Sequence, residues 1–231
     1  MSVSTKSSVT EIVSLPLIPG SDPKDPTSAA GKVLLDTWST VSAQEGFVRL
    51  LWGTQVEDPT IVQGYIDHIQ LTSAHLDWES LDKHATFQKS PEYQPFLTHL
   101  GSILSSEPNL LHYTFDQGSK PDVALNAPVV EYASAYLEPS ASIEEFNQIA
   151  RNLEKVFTEH AKGFHGATWG HSHEKREYQG GKVKVGLLLL GWDSVDAHLN
   201  FREHEEFKKA LGPLRDFVKG LEAYHVSMNP L

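Results

Sequence analysis

The chain has 231 residues, 39% of them hydrophobic, no cysteine, and a formal net charge of −11. The absence of cysteine excludes a thiol nucleophile, disulfides, iron–sulfur clusters and cysteine–zinc sites, and it fits a reducing, cytoplasmic setting. Excess acid without a basic stripe argues against nucleic acid and anionic membrane as partners.

Residues 1–9 are polar and Ser-rich and read as a flexible tail, with no apolar segment of the kind a secretory signal needs. Thr10 to Ile18 alternates and reads as a first strand. A Pro/Gly/Asp loop through Pro26 follows, and Thr27 or Ser28 caps a helix with an apolar face of Ala30, Val33, Leu34, Trp38 and Val41. Gly46 to Val56 and Thr60 to about Leu71 read as strands, with His68 to His75 either extending the second of these or forming an excursion. Ser80 caps a helix whose buried face begins Leu81, His84, Phe87. Ser90 and Pro91 restart it as cap and first helical position, with Phe96, Leu97, Leu100, Ile103 and Leu104 continuing the face. Asn109 to Phe115 closes a first half over residues 10–117.

Residues 118–128, with Gly, two Pro and Asn, read as a linker. The pattern then restarts over 129–231. Val129 to Leu137 is a strand, and Ser140 or Ser142 caps a helix with face Ile143, Phe146, Ile149, Leu153, Val156 and Phe157. Gly163 to His173 is a strand, Glu174 to Gly181 a charged turn, and Lys182 to Leu190 a strand. Ser194 caps one last helix with face Val195, His198, Phe201, Phe207, Ala210, Leu211 and Leu214, and Leu221 to Met228 is the closing strand. Leu187–Leu190 is the longest apolar run and is too short to span a bilayer.

The two halves repeat one another. Trp78-Glu-Ser…His84…Phe87…Tyr93 recurs as Trp192-Asp-Ser…His198…Phe201…Phe207, at an offset of 192 − 78 = 114. Gly46-Phe47…Trp52-Gly53 recurs as Gly163-Phe164…Trp169-Gly170, at 169 − 52 = 117. A duplicated β-α-β-β-α-β unit is the ferredoxin-like pattern. Each half leaves one sheet face to be covered, and the other half's sheet is the expected cover. The expected fold is therefore α+β, with two ferredoxin-like (βαββαβ) repeats forming a single-chain pseudo-dimeric α/β barrel.

His84 and His198 lie on the buried helix faces. Each is either a core histidine holding the helix start to the sheet or a pocket acid/base. Trp52, Trp78, Trp169 and Trp192 fill a core or wall a pocket for a flat ligand. Tyr132 and Tyr136 share a strand face, Tyr224 and His225 lie on the closing strand, and these could add polar groups. His165, His171 and His173 share parity along one strand and with His204 or Glu174 could approach a metal, but no other spacing supports a site, so no metal is expected. Phosphate loops, dinucleotide-binding glycine motifs and the Gly-x-Ser-x-Gly elbow are absent.

Both repeated blocks resemble the antibiotic biosynthesis monooxygenase-like family of the dimeric α/β barrel superfamily, in the tandem-domain form found in fungi. The second copy has His204-Glu205-Glu206 where the family often has Ser-Pro-Glu. The resemblance implies a cofactor-independent monooxygenase or related tailoring enzyme acting on a small aromatic or phenolic metabolite. It also implies His198 and His84 as catalytic groups, with Trp192, Trp78, Phe201 and Phe87 of the repeated blocks around the substrate; Trp169, Trp52, Tyr132, Tyr136 and His225 join them as expected substrate-binding residues from their strand positions, and a homodimer of the chain is a further expectation. The other readings are a non-catalytic binding or stress-associated protein holding a hydrophobic molecule, and a haem protein of the same superfamily.

Overall fold

The structure, a computed structural model, describes residues 8–69, 89–119 and 121–230. Trp78, His84, Phe87 and the stretch 70–75 lie outside the described residues. The chain divides into two compact units. The first holds residues up to Thr54, Asp58–Leu111 and the residues from Asn229. The second holds Gln55–Glu57 and His112–Met228.

The first unit contains β1 (Ser8–Pro16), α1 (Ala29–Ser42), β2 (Phe47–Thr54), β3 (Ile61–Ile69), α2 (Tyr93–Gly101) and the start of β4 (Asn109–Phe115). β3 pairs antiparallel with β1 on one side and β2 on the other, and the two-residue β9 (Asn229–Pro230) pairs with β2. Ser28 caps α1, its side chain accepting from the Gly31 amide at 2.8 Å. The expected apolar face is buried: Ala30, Val33, Leu34 and Trp38 pack with Val13, Leu15, Leu50, Val62 and Ile66. The start of α2 differs from expectation. Ser90 does not cap it; the Tyr93 amide donates to the Ser90 carbonyl in a turn, and the helix begins at Tyr93 with no side-chain cap. The fixed φ of Pro91 suits that turn as well as it suits a helix start.

The second unit contains the rest of β4, α3 (Pro121–Leu125), β5 (Val129–Leu137), α4 (Ile143–His160), β6 (Phe164–Tyr178), β7 (Gly181–Trp192), α5 (Val195–Arg202), α6 (Glu205–Phe217) and β8 (Val218–Val226). Its strand order, β8-β5-β7-β6, with helices between β5 and β6 and between β7 and β8, is the antiparallel ferredoxin-like arrangement, and the fold class is α+β. Ser142 and Ser194 cap α4 and α5, each accepting an amide three residues on. β7 is buried on both faces. Leu188, Leu190 and Trp192 join Phe146, Leu153, Phe157 and Leu214 in the helix-side core, while Leu187 and Leu189 alternate to the other face and are equally buried.

Three expectations change in this unit. The stretch 118–128, read as a linker, carries α3, with Ala124 and Leu125 buried against the sheet. Gly191 admits this close packing, since a Cβ there would meet Ala127 Cβ at 2.8 Å and the Ala124 carbonyl oxygen at 2.9 Å. The charged stretch after His173 is strand to Tyr178, turned back by Gln179 and Gly180, both at positive φ, as a two-residue hairpin of mirror-image type requires. Its charges sit on an extended, solvated ribbon, which composition alone does not separate from a turn. The last helix is two helices, broken at Glu203 and His204.

Gly170, of the repeated Trp-Gly pair, has its own packing reason. A Cβ there would stand 2.4 Å from the Thr114 carbonyl oxygen and 2.9 Å from Phe115 Cα, both backbone atoms of β4. Gly170→Ala is expected to destabilise the protein by about 1–3 kcal/mol, as overpacking against groups that cannot yield does. Urea unfolding at constant m-value measures it, and an unchanged midpoint contradicts this account of the close approach.

Candidate functional site

The second unit gathers a chain of buried polar groups around His198. The registers of β5 explain the assembly. Glu131 stands directly opposite His225 on β8 and opposite Leu190 on β7. Its odd-numbered neighbours Ala133 and Ala135 face the helix-side core, so Glu131 and His225 face α5. Ser194 fixes the start of α5, which puts His198 one turn in, buried at 3% exposure. Its ring stacks on Trp192, with centroids 5.0 Å apart and planes at 21°. Phe201 and Phe207 close the aromatic layer through Phe157.

The polar contacts run in sequence. The Trp192 indole Nε1–H donates to Glu131 Oε2 at 3.1 Å, and Glu131 Oε2 lies 3.4 Å from His198 Nδ1. His198 Nδ1 is 2.7 Å from His225 Nε2. Glu57 then grips His225 twice, accepting from its backbone amide at 2.8 Å and from ring Nδ1 at 2.5 Å. The Glu57 side chain is 45% exposed, so a line of hydrogen bonds leads from the buried imidazole to solvent. The extended segment before Glu57 is held to β8 by the Val56 amide on the His225 carbonyl.

Charge assigns the protons. Burial opposes ionisation of Glu57, but the two hydrogen bonds from His225 outweigh it and hold the carboxyl below its ordinary range. An ionised Glu57 accepts a hydrogen bond from Nδ1–H of His225, and a ring that carries its proton there has Nε2 as an acceptor. His198 must then donate from Nδ1. Its Nε2, which takes no hydrogen bond among the described residues, carries the lone pair. Burial, then the neighbouring His225 and Arg202, push His198 down to about 3, so it is neutral across the physiological range. Burial pushes Glu131 up to about 7, against the Trp192 hydrogen bond and Arg202.

Other expected residues lie elsewhere. Tyr132 and Tyr136 occupy the opposite face of β5 from Glu131, stacked on Tyr224 and Tyr178. Trp169 is buried in the helix-side core, with an indole N–H that finds no acceptor among the described residues. Trp52 is half-buried in the first unit. His165 pairs with Asp193 at the surface, His173 with Thr114, and His171 is half-buried. Burial lowers His171 and His173, and the three do not converge. Among the described residues, the group able to offer a metal three ligand atoms is Glu131, His198 and His225, within 4.8 Å of one another. Two imidazoles and a carboxylate are a usable donor set. The 2.7 Å between the imidazoles is, however, the spacing of a shared proton, whereas nitrogens bound to one ion stand about 3 Å apart or more.

Glu131 and Glu57 were not anticipated from the sequence. A Glu within a strand reads as a solvent-facing residue, and Glu57 reads as part of an acidic turn.

No family model matches the chain, and no curated protein matches its sequence. Solved structures share its fold. An anthrone oxidase-like protein matches with a TM-score of 0.66 at 16% identity, over 98% of this chain and 92% of the other. A candidate monooxygenase from Fusobacterium nucleatum subsp. nucleatum matches at 0.54 and 15%, over 96% and 92%. A candidate chlorite dismutase matches at 0.56 and 13%, over 97% and 96%. The chain is thus similar in fold, along nearly its whole length, to monooxygenase-like proteins.

The two shifted groups oppose one another in stability. Glu131, raised from 4.5 to about 7, contributes stability that is present below pH 4.5 and is lost as pH rises through about 7. His198, lowered from 6.5 to about 3, contributes stability that is present above pH 6.5 and is lost as pH falls towards 3. Glu131→Gln keeps an acceptor for Trp192 and removes the first contribution. Its stability relative to the parent is expected to rise between pH 4.5 and 7 and then level off, by about 3 kcal/mol in all. Urea unfolding from pH 4 to 8 checks it, and a pH-independent difference rules out a buried carboxyl titrating near 7.

Proposed function

We propose that the protein is a cofactor-independent, monooxygenase-like tailoring enzyme that oxygenates a small, acidic aromatic metabolite, with His198 as its base. The observation that carries this reading is the hydrogen-bonded line His198–His225–Glu57. An isolated imidazole held near 3 is a poor base. The line removes that difficulty. When Nε2 of His198 takes a proton from substrate, the Nδ1 proton passes to His225 Nε2. The positive charge then rests on His225, against the Glu57 carboxylate and close to solvent, and His198 stays neutral.

The chemistry asked of such a site is modest. A phenol or an anthrone loses a proton to His198 and becomes an electron-rich anion. The anion passes an electron to O₂, and the resulting radical pair combines to form a carbon–oxygen bond. At an anthrone methylene, the peroxide then loses water as its O–O bond breaks. One oxygen atom stays as a carbonyl, and the other leaves with the two methylene hydrogens. The chain's part is to remove the proton, hold the anion and keep the surroundings dry. Trp192 and Phe201, beside His198, supply aromatic surface, and the indole N–H of Trp169, which finds no acceptor among the described residues, is a donor for a ligand oxygen.

The fold shared with an anthrone oxidase-like protein makes anthrone a reasonable first substrate. His198→Asn replaces the Nδ1–H by an amide N–H but supplies no Nε2 lone pair. It is expected to lower kcat/KM for anthrone about 10²–10⁴-fold, the usual contribution of a positioned base. Undiminished turnover by this variant eliminates His198 as the base.

A further inference from the structure

The repeat extends to the polar groups. Glu57 follows Trp52-Gly53 as Glu174 follows Trp169-Gly170, both as Trp-Gly-x-x-x-Glu, at 174 − 57 = 117. His225 of the second closing strand corresponds to His112 of the first, at 225 − 112 = 113. Glu131 in Val129-x-Glu131-x-x-Ser134 corresponds to Glu11 in Val9-x-Glu11-x-x-Ser14, at 131 − 11 = 120. Glu11, like Glu131, is a strand carboxylate buried at 7% exposure. These offsets lie close to the 114 that relates Trp78 and His84 to Trp192 and His198.

The geometry repeats as well. Glu174 grips His112 as Glu57 grips His225: Oε2 accepts from the His112 backbone amide at 2.9 Å and Oε1 from ring Nδ1 at 2.6 Å. The distances for Glu57 and His225 are 2.8 and 2.5 Å. In both cases the His is buried and the carboxylate partly exposed, at 39% for Glu174 and 45% for Glu57. In both cases the His hydrogen bonds outweigh burial and hold the carboxyl below its ordinary range. A register shift between His171 and Lys175 turns Glu174 out of the β6 ladder, and the Ser172 hydroxyl fixes that shift by bonding the Glu174 carbonyl and the Val185 amide. The same reasoning that gave Nε2 of His225 its lone pair gives one to Nε2 of His112.

We infer that the chain carries two proton-relay sites. His112 and Glu174 form the outer half of a second relay, which serves a second molecule of the same acidic aromatic class. The relays are crossed with respect to the sequence repeats: the second repeat's His225 takes its carboxylate from the first repeat, and the first repeat's His112 takes its carboxylate from the second. Either repeat by itself has a relay histidine without its counter-ion, which is a physical reason for the two to be fused. This inference rests on the proposed function and asks a separate question of it, namely how many sites there are.

The test counts sites in the full chain. 1,8-Dihydroxyanthraquinone is a phenolic probe already oxidised at the ring carbon an anthrone presents. Calorimetric titration with it is expected to give two molecules per chain for the parent, one for His112→Asn and one for His225→Asn. Asparagine offers its amide N–H to the gripping carboxylate in place of Nδ1–H, so a purely structural histidine is rescued by it and a relay histidine is not. Glu174→Gln, which removes the charge and keeps one of the two acceptor oxygens that His112 uses, provides a second variant should His112→Asn fail to fold. Anthrone turnover is measured beside binding. Each single His→Asn variant is expected to keep about half of the parental kcat, and the double variant to fall at least about 10²-fold. A parent that binds one probe, or a His112→Asn or Glu174→Gln variant with parental stoichiometry and turnover, overturns the second site and leaves the first standing. Two bound probes without turnover uphold the pair of sites and overturn the oxygenase reading. No binding and no turnover overturn both.

Discussion

A polar ring enclosed among aromatics must be hydrogen-bonded or the fold loses a few kcal/mol, and His198 is such a ring. Its bond to His225 answers that requirement, and most of the surrounding design follows from it. His225 can accept only if its other nitrogen holds a proton, which demands an acceptor, and Glu57 is that acceptor. Glu57 stays ionised because the hydrogen bonds from His225 outweigh the cost of its partial burial. The strand register that sets Glu131 opposite His225 and the cap that starts α5 at Val195 are the backbone conditions for this line. What looks like a catalytic device is therefore also the least costly way to keep a histidine in this core.

That double character bears on how the histidines were read. From the sequence, His198 is either a core histidine or a pocket base, and the core role is the default for a buried imidazole. Under the proposed function the two descriptions coincide, because the bonds that satisfy the ring are those through which a proton would leave it. Catalysis in this picture asks little of the protein beyond moving one charge by two ring widths. It costs less to place that charge on His225, facing a carboxylate, than on a ring stacked against Trp192.

Much of the architecture was legible because it is written in short-range patterns. The faces of α1 and α4 follow from helical spacing, Ser28, Ser142 and Ser194 cap where they were expected to cap, and the internal repeat indicated the duplicated ferredoxin-like unit. What was missed depends on long-range register. Glu131 matters because of what stands across the sheet, and Glu57 because of a strand far away in sequence, 168 residues on. Neither carries a local signature. The short helix α3 within the stretch 118–128 was not foreseen for a related reason: five residues, Pro121 to Leu125, are too few to show a helical period, and only the close packing at Gly191 gives them a place on the sheet. Tyr132 and Tyr136 show the limit of parity arguments. They do share a face, but only the sheet's packing decides that it is the face away from His198.

β7 has a consequence of another kind. It is paired along both edges, with β5 and β6, and its apolar run from Val185 to Trp192 is buried on both faces. Nothing in that run is charged, and it is bracketed on its N-terminal side by Lys182 and Lys184. Until its neighbours arrive during folding, such a strand is a template for pairing with other chains, and flanking lysines are the usual restraint on it. A segment buried on both faces in the folded protein is thus one the nascent chain can ill leave exposed, and the two lysines guard solubility during assembly rather than the finished fold.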